Sequence, residues 1–313
     1  MPKKITAAII QIKPEYLDLK NSVAKAIRCI EEAASQGAEL IAFGETWLTG
    51  YPTWIDHIPK ACLWDYGPTK EVYALLRENS ATVPGQEINA IAAAAKKHGV
   101  TVVMGLNERV DHGKGNGTLY NSLITIGSDG QFLNHHRKLV PTFTERLIWG
   151  QGDGDGLNAV STNVGRVGGL ICWEHWMPMA RQTLHEAGEH IHISVWPTVN
   201  EMHQIASRHY AFEGKCYVLA SGLIESVSDL PSQFELPAEL EENPNRLLQR
   251  GSSAIIGPDG NYIAGPVYDE ETIVMGEIEL NKINEEKITL DVTGHYFRKD
   301  IFSYQVKKGQ RDR

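Results

Sequence analysis

The sequence predicts an α/β protein, and three observations carry that prediction. Short apolar runs recur along the chain, each bounded by glycine, proline or polar turn residues. Longer stretches with apolar residues at helical spacing lie between them. The alternation runs through both halves with no linker, so two sheets packed face to face with helices outside are expected to form one domain. Length alone, at 313 residues, suggests roughly two domains. Strand order is not readable from the pattern.

In chain order, residues 5–12 read as the first strand. Residues 21–36 form a helix with Val23, Ile27, Ile30 and Ala34 on one face and Gly37 as its stop. Residues 39–44 are a second strand that delivers Glu45 into the aromatic-rich loop Trp47 to Trp54. Helices are expected over 69–80 and 87–98, a strand over 100–106, and a hairpin of 119–126 with 131–135 around Gly127-Ser128-Asp129-Gly130. In the second half a strand over 167–171 leads through Cys172 and Pro178 to a helix ending near Ala187. A strand over 191–195, a helix over 202–214 and a strand over 216–221 follow. Residues 253–256 and 261–264 flank a turn at Gly257-Pro258-Asp259-Gly260, and 273–278 is the last clear strand. Residues 229–249 read as a surface excursion, and the charged tail from Lys307 as frayed.

Hydrophobic residues make up 42% of the chain, enough for a large core. The formal net charge of −9 argues against a nucleic-acid binder, which needs a basic surface to neutralise phosphates. Cys29, Cys62, Cys172 and Cys216 are scattered and form no CxxC pair, as free thiols in a reducing compartment would. The first apolar run is short and interrupted at Lys13-Pro14-Glu15, so it reads as a strand rather than a signal peptide. No run approaches the length of a membrane span. A cytoplasmic protein is the expectation.

The stretch Val167-Gly168-Gly169-Leu170-Ile171-Cys172-Trp173-Glu174-His175 carries the main candidate for chemistry. It places a thiol at the C-terminal end of a buried strand, where open α/β sheets build their sites. A helix beginning nearby favours the thiolate. A free Cys is as often a small buried hydrophobe. Glu45 follows the apolar run Leu40-Ile41-Ala42-Phe43 directly, and burial at a strand end would raise its pKa toward that of a general base. A solvated loop carboxylate is the plainer alternative. Lys138, in His136-Arg137-Lys138-Leu139, is a compact charge apt for stabilising a developing anion, or else part of a surface basic cluster. Glu145 either anchors that lysine or pairs with Arg146.

Two tempting motifs fail. His185-Glu186-Ala187-Gly188-Glu189-His190 is one residue too long for the zinc signature HExxH. Gly150-Gln151-Gly152-Asp153-Gly154-Asp155-Gly156 carries aspartates that would repel phosphate and lacks the closing Glu of an EF-hand loop, so it reads as a flexible turn. His175 reads as structural rather than as the base of Cys172.

Taken together, Phe43-Gly44-Glu45 with Gly50-Tyr51-Pro52, then His136-Arg137-Lys138-Leu139, then Cys172-Trp173-Glu174-His175 resemble the nitrilase superfamily of carbon–nitrogen hydrolases. The likeness runs from the first strand to Gly294-His295-Tyr296-Phe297-Arg298. It implies a four-layer αββα sandwich, one domain over 1–313 with a short tail from about 295, and a Glu45–Lys138–Cys172 triad without metal or organic cofactor. Cys-Trp-Glu-His and Thr144-Glu145-Arg146 with Trp149-Gly150 are similar to the nitrilase branch, whereas amidase branches usually carry Tyr and Asp after the Cys. The family's homodimer, or a higher homo-oligomer, is expected. Long filaments are left open, because relatives that form them carry a long tail after the stretch matching Gly294-His295-Tyr296 and this chain ends soon after it.

The resemblance implies that Cys172 attacks a nitrile carbon after Glu45 takes its proton, with Lys138 and the Trp173 N–H facing the developing charge on nitrogen. Water then converts the thioimidate to a thioester with loss of ammonia, and a second water releases the acid. Glu145 acts as a second carboxylate. Trp47, Tyr51, Trp54, Phe143, Trp173 and Trp196 are expected to line an apolar slot for the nitrile. An amidase or cyanide-processing enzyme on the same scaffold, and a non-catalytic binding protein, are the alternatives.

Overall fold

In the computed structural model, which describes residues 4–309 and 311, the apolar runs become strands buried on both faces. In β1 (Lys4–Gln11), Ile5, Ala7 and Ile9 join one hydrophobic cluster while Ala8 and Ile10 join another. Successive side chains point to opposite faces, so a strand covered on both sides must be apolar at nearly every position.

Helix α1 (Leu19–Ser35) starts where the Asp18 carboxylate accepts the Asn21 N–H at 3.0 Å. Its buried stripe is Val23, Ala26, Ile30 and Ala33. There follow β2 (Leu40–Phe43), the short α2 (Trp54–His57), α3 (Gly67–Glu78) and α4 (Gln86–His98), which ends on left-handed Gly99. Strands β3 (Thr101–Arg109), β4 (Leu119–Ile126) and β5 (Phe132–Arg137) complete the first half. The second half runs β6 (Val160–Thr162), β7 (Gly165–Ile171), α5 (Pro178–Glu186), β8 (Ile191–Val195), α6 (Glu201–Gly214), β9 (Tyr217–Ser221) and β10 (Ile224–Ser226). It closes with α7 (Ala238–Glu241), β11 (Leu247–Ile256), β12 (Tyr262–Tyr268), β13 (Thr272–Glu279) and α8 (Asn281–Glu286).

The strands form two sheets. One has the order β13-β1-β2-β3-β4-β5, the other β10-β11-β9-β8-β7-β6, with β12 paired to β11. The three strands β1-β2-β3 are parallel, as are β7-β8-β9. Between the sheets Ile5, Ile9, Leu40, Ala42 and Val103 meet Val167, Ile193 and Leu219 in one cluster. The outer face of the first sheet packs Ile41, Phe43, Val102 and Met104 against α1 and α4, and α5 and α6 lie on the second sheet. This is the expected αββα layering, with each sheet burying one face on the other and one on helices.

Three local expectations are revised. Residues 229–249 form a surface excursion that is anchored to the core rather than free. Leu230, Phe234 and Leu240 are buried there, and Phe234 packs on Trp54 with ring centroids 5.3 Å apart. The glycine-rich segment at 150–156 is not a free turn. A Cβ at Gly152 would overlap the Arg137 and Lys138 carbonyl oxygens, so glycine is there for close approach of two backbones. Its Asp153 receives the Arg311 guanidinium at 2.9 and 3.0 Å, and Lys308 donates to the Leu157 carbonyl at 3.2 Å. The described part of the tail is therefore docked, its charges matched to that segment. Residue 310 and residues 312–313, which the frayed-tail expectation also covered, lie outside the described residues.

Candidate active site

Three strand ends deliver the candidate residues. Glu45 lies two residues beyond β2, Lys138 follows β5 directly, and Cys172 follows β7 directly. The first two come from one sheet and the third from the other, so the site forms where the C-terminal ends of the two sheets meet. Glu145 arrives on a 3-10 turn, Phe143–Leu147.

Each corner carries a left-handed backbone at a non-glycine residue. Thr46 has φ 48°, Phe143 φ 44° and Cys172 itself φ 52°. Such conformations persist only where their surroundings hold them; here Thr46 and Cys172 are buried while Phe143 stands exposed at the cavity.

The geometry is tight. One oxygen each of Glu45 and Glu145 and the Cys172 Sγ lie within 4.8 Å of one another. Lys138 Nζ donates to Glu45 Oε1 at 3.0 Å and to both Glu145 oxygens at 2.9 and 2.7 Å. All four residues are buried. Two carboxylates and a thiol in this arrangement resemble a cation site, but the ammonium of Lys138 already supplies the positive charge they share.

Glu145 is saturated with donors. Besides Lys138, it accepts from the Tyr51 hydroxyl at 2.8 Å and the Thr142 N–H at 2.7 Å. Glu45 is not. Asn121 Nδ2 at 2.7 Å and Lys138 both bond its Oε1, and Oε2 has no hydrogen-bond partner among the described residues. That oxygen is free to take a proton.

Burial pushes the Glu45 carboxyl up to about 7, against the pull of Lys138 and with help from Glu145. Burial and then Glu45 raise the Cys172 thiol well above its ordinary value, while Lys138 and the Trp173 N–H oppose them. Burial works against the charge on Lys138, but Cys172, Glu45 and Glu145 together hold its pKa above the ordinary range. The resting site therefore has a thiol, a base poised near neutrality and a fixed cation.

Sequence reasoning assigned no role to two residues that build this arrangement. Glu174 is buried and accepts from Ile171 N and Leu139 N, each at 2.7 Å, and faces His136 Nε2 at 2.8 Å. It ties the Cys172 corner to the Lys138 corner. Burial opposes its ionisation, yet His136 and the two N–H groups hold its pKa below the usual value. Asn121 lies in β4 and reads as an ordinary strand residue. Glu174 stood in the quoted motif but carried no sign of its partners.

A cavity of about 380 Å³ opens onto Cys172 and Glu145, with Tyr51, Phe143, Trp173, Pro197, Thr198 and Gln249 among its walls. Glu45 and Lys138 lie behind this surface. Of the expected aromatic lining, Tyr51, Phe143 and Trp173 are brought to the cavity. Trp47, Trp54 and Trp196 are not: all three are fully buried in the core. Trp47 donates to the Ile12 carbonyl at 2.6 Å, Trp54 packs on Phe234, and Trp196 stacks between His175 and His203. A loop rich in tryptophan does not reveal from sequence which rings face inward.

A buried thiol beside a carboxylate and a lysine, on an αββα sandwich, defines a hydrolase-type nucleophilic site. The chain belongs to the carbon–nitrogen hydrolase family, whose profile, described as Carbon-nitrogen hydrolase, matches residues 6–287. It is 37% identical to a protein named Nitrilase 2 from an unknown prokaryotic organism, over 99% of this chain and 95% of that one. It is 34% identical to an aliphatic nitrilase of Sinorhizobium fredii (strain HH103), over 97% of this chain and 96% of the other. The fold matches a crystal structure of a carbon–nitrogen hydrolase from Helicobacter pylori G27, with TM-score 0.71 and 19% identity over 96% and 97% of the two chains.

Proposed function

We propose that this chain is a nitrilase, converting R–C≡N and two waters to a carboxylic acid and ammonia. The observation that carries the reading is the meeting of Cys172 Sγ with Glu45 and Glu145 oxygens within 4.8 Å, around the Lys138 ammonium. The relatives named as nitrilases support a nitrile over an amide as substrate.

In this reading Glu45 Oε2 takes the Cys172 proton as sulfur attacks the nitrile carbon. The developing charge on nitrogen faces Lys138 and the Trp173 N–H. Glu45 returns its proton to that nitrogen, giving a thioimidate. It then activates water, and the tetrahedral intermediate expels ammonia to leave a thioester. A second water releases the acid and restores the thiol. Glu145 orients Lys138. Tyr51, Phe143 and Trp173 contact the R group, which suits an apolar or aromatic chain.

A homodimer belongs to the same reading. Met202, Ile205 and Phe212 on α6, with Met179 on α5, are each about half exposed and present an apolar face beside the site. Light scattering reads the assembly, and Ile205→Asp is expected to shift it toward monomer. A single catalytic domain working in the cytoplasm, with no nucleic-acid or membrane partner, completes the proposal. No helix among the described residues is long and apolar enough to cross a membrane.

The test is to incubate purified protein with aliphatic, aryl and arylacetonitriles, cyanide and matching amides, assaying ammonia and identifying the carbon product. Acid and ammonia from nitriles, with amides untouched, is the expected result. Turnover of amides alone would move the chain to an amidase reading, and formamide from cyanide to a hydratase.

A further inference from the structure

Behind the nucleophile lies a buried polar ladder that the mechanism above does not use. His175 Nδ1 contacts the Cys172 carbonyl oxygen at 2.6 Å. His175 Nε2 meets His192 Nε2 at 3.0 Å, and His192 Nδ1 meets Glu189 Oε2 at 2.8 Å. The Tyr210 hydroxyl donates to the other Glu189 oxygen. All four side chains are at least nine-tenths buried. Gly168 leaves the space that Glu189 fills, since a Cβ there would overlap the carboxylate.

The hydrogens on this ladder can be counted. A carbonyl oxygen only accepts, so His175 Nδ1 carries a hydrogen. A carboxylate only accepts, so His192 Nδ1 carries one. The nitrogen–nitrogen contact needs one more. Three hydrogens on four ring nitrogens is one more than two neutral imidazoles hold. The pair is therefore a monocation, balanced by Glu189. Burial works against ionisation of Glu189, yet His192 and then His185 hold its pKa down to about 2. Burial, and then His192, lowers the His175 pKa well below its ordinary value.

The far end of the ladder is a single peptide unit. The oxygen that His175 binds belongs to the same peptide as the Trp173 N–H, and that N–H works against the burial that raises the Cys172 thiol pKa. Drawing electron density toward that oxygen makes the N–H a stronger donor, because hydrogen bonds in a chain polarise one another.

We propose that Glu189, His192 and His175 are positioning residues that hold a buried positive charge behind the Cys172–Trp173 peptide, orienting its N–H and strengthening it toward the thiolate and the anion formed on substrate. The inference rests on the nitrilase reading only for the identity of that anion. The charged and titratable groups around the ladder are Arg181 and His185 on α5, and Tyr210 and Glu213 on α6. Trp196 and Tyr210 rings stack on His175 and His192, at centroid distances of 4.7 and 3.8 Å, and exclude water.

The experiment compares wild type, Glu189→Gln and Glu213→Gln. It measures iodoacetamide modification of the Cys172 peptide by mass spectrometry across pH, with kcat and KM on a nitrile. Exposed Cys62 is separated by the peptide map. Glu189→Gln is expected to slow modification of Cys172 at pH 7 about tenfold and to lower kcat similarly, with KM held, since a weakened donor acts on the charged state and not on binding. Glu213→Gln removes a nearby charge but no rung, and is expected to leave the modification profile in place. An unchanged profile and kcat in folded Glu189→Gln, or equal shifts in both variants, would overturn the proposal. Should Glu189→Gln fail to fold, 15N NMR of the wild-type histidines decides: a third hydrogen on the His175–His192 pair supports the ladder, and two neutral imidazoles overturn it. Modification and NMR report on the ladder even if no nitrile is turned over, so failure of the nitrilase reading is seen separately.

Discussion

Lys138 Nζ reaches both oxygens of Glu145, at 2.9 and 2.7 Å, but only one oxygen of Glu45, at 3.0 Å. The two carboxylates therefore differ in what they have left to do. Glu145 is consumed in holding the lysine, while Glu45 keeps an oxygen free. Glu145→Gln is expected to lower kcat about a hundredfold, with KM little changed, because a misplaced cation fails the charge that develops in the transition state. Steady-state kinetics alongside a melting curve checks this, and activity within twofold of wild type would remove the orienting role.

The Glu45 carboxyl, raised to about 7 by burial, must be ionised to act as base. As pH falls through about 7 it gains a proton, so kcat/KM is expected to fall with a single-proton slope on the acid side. Glu45→Gln is expected to abolish turnover at every pH. A profile flat from pH 5 to 8 would place the base elsewhere.

Glu225 is buried in β10, and among the described residues its carboxylate has one hydrogen bond, from the Thr53 hydroxyl at 2.6 Å. Burial raises its pKa to about 8. Its folded pKa lies above the ordinary carboxyl value, so the folded state binds more protons than the unfolded one between about 4.5 and about 8. The stability this group contributes is full below that window and is lost as pH rises through it. Glu225→Gln is expected to flatten this part of the stability-versus-pH curve in urea titrations. An unaltered slope would contradict the assignment.

Phe143 and Trp47 provide a contrast between wall and core. Phe143 is 80% exposed and lines the cavity, whereas Trp47 is fully buried. Phe143→Ala is expected to alter KM and substrate preference while stability stays within about 0.5 kcal/mol. Trp47→Ala is expected to cost about 3–5 kcal/mol of stability. Kinetics on an aryl and an aliphatic nitrile, with denaturant melts, separates the two.

Much of this architecture was legible in the sequence. Most expected strands lie within a few residues of where their pattern places them, but β11 starts six residues before the expected 253 and β6 and β10 had no expected counterpart, while Glu45, Lys138 and Cys172 are brought together. The rest depended on long-range partners. The Gly150 to Gly156 segment looks mobile until Arg311 and the Arg137 backbone are seen against it. Residues 229–249 look polar and are mostly exposed, yet three spaced apolar side chains anchor them to the core. The two tryptophans of the 47–54 loop look alike in sequence, and only the hydrogen bond to the Ile12 carbonyl and the packing on Phe234 show that both face the core. His175 reads as structural from its spacing, and the ladder beyond it needs β8 beside β7 to exist at all.

The claim that Cys172 is the nucleophile toward nitriles is tested most directly by acid quench during turnover. Intact mass and peptide mapping would then find where substrate is attached. The account predicts an acyl adduct on the Cys172 peptide in wild type, and neither adduct nor turnover in a folded Cys172→Ala variant. Nitrile hydrolysis that persists in Cys172→Ala would contradict it.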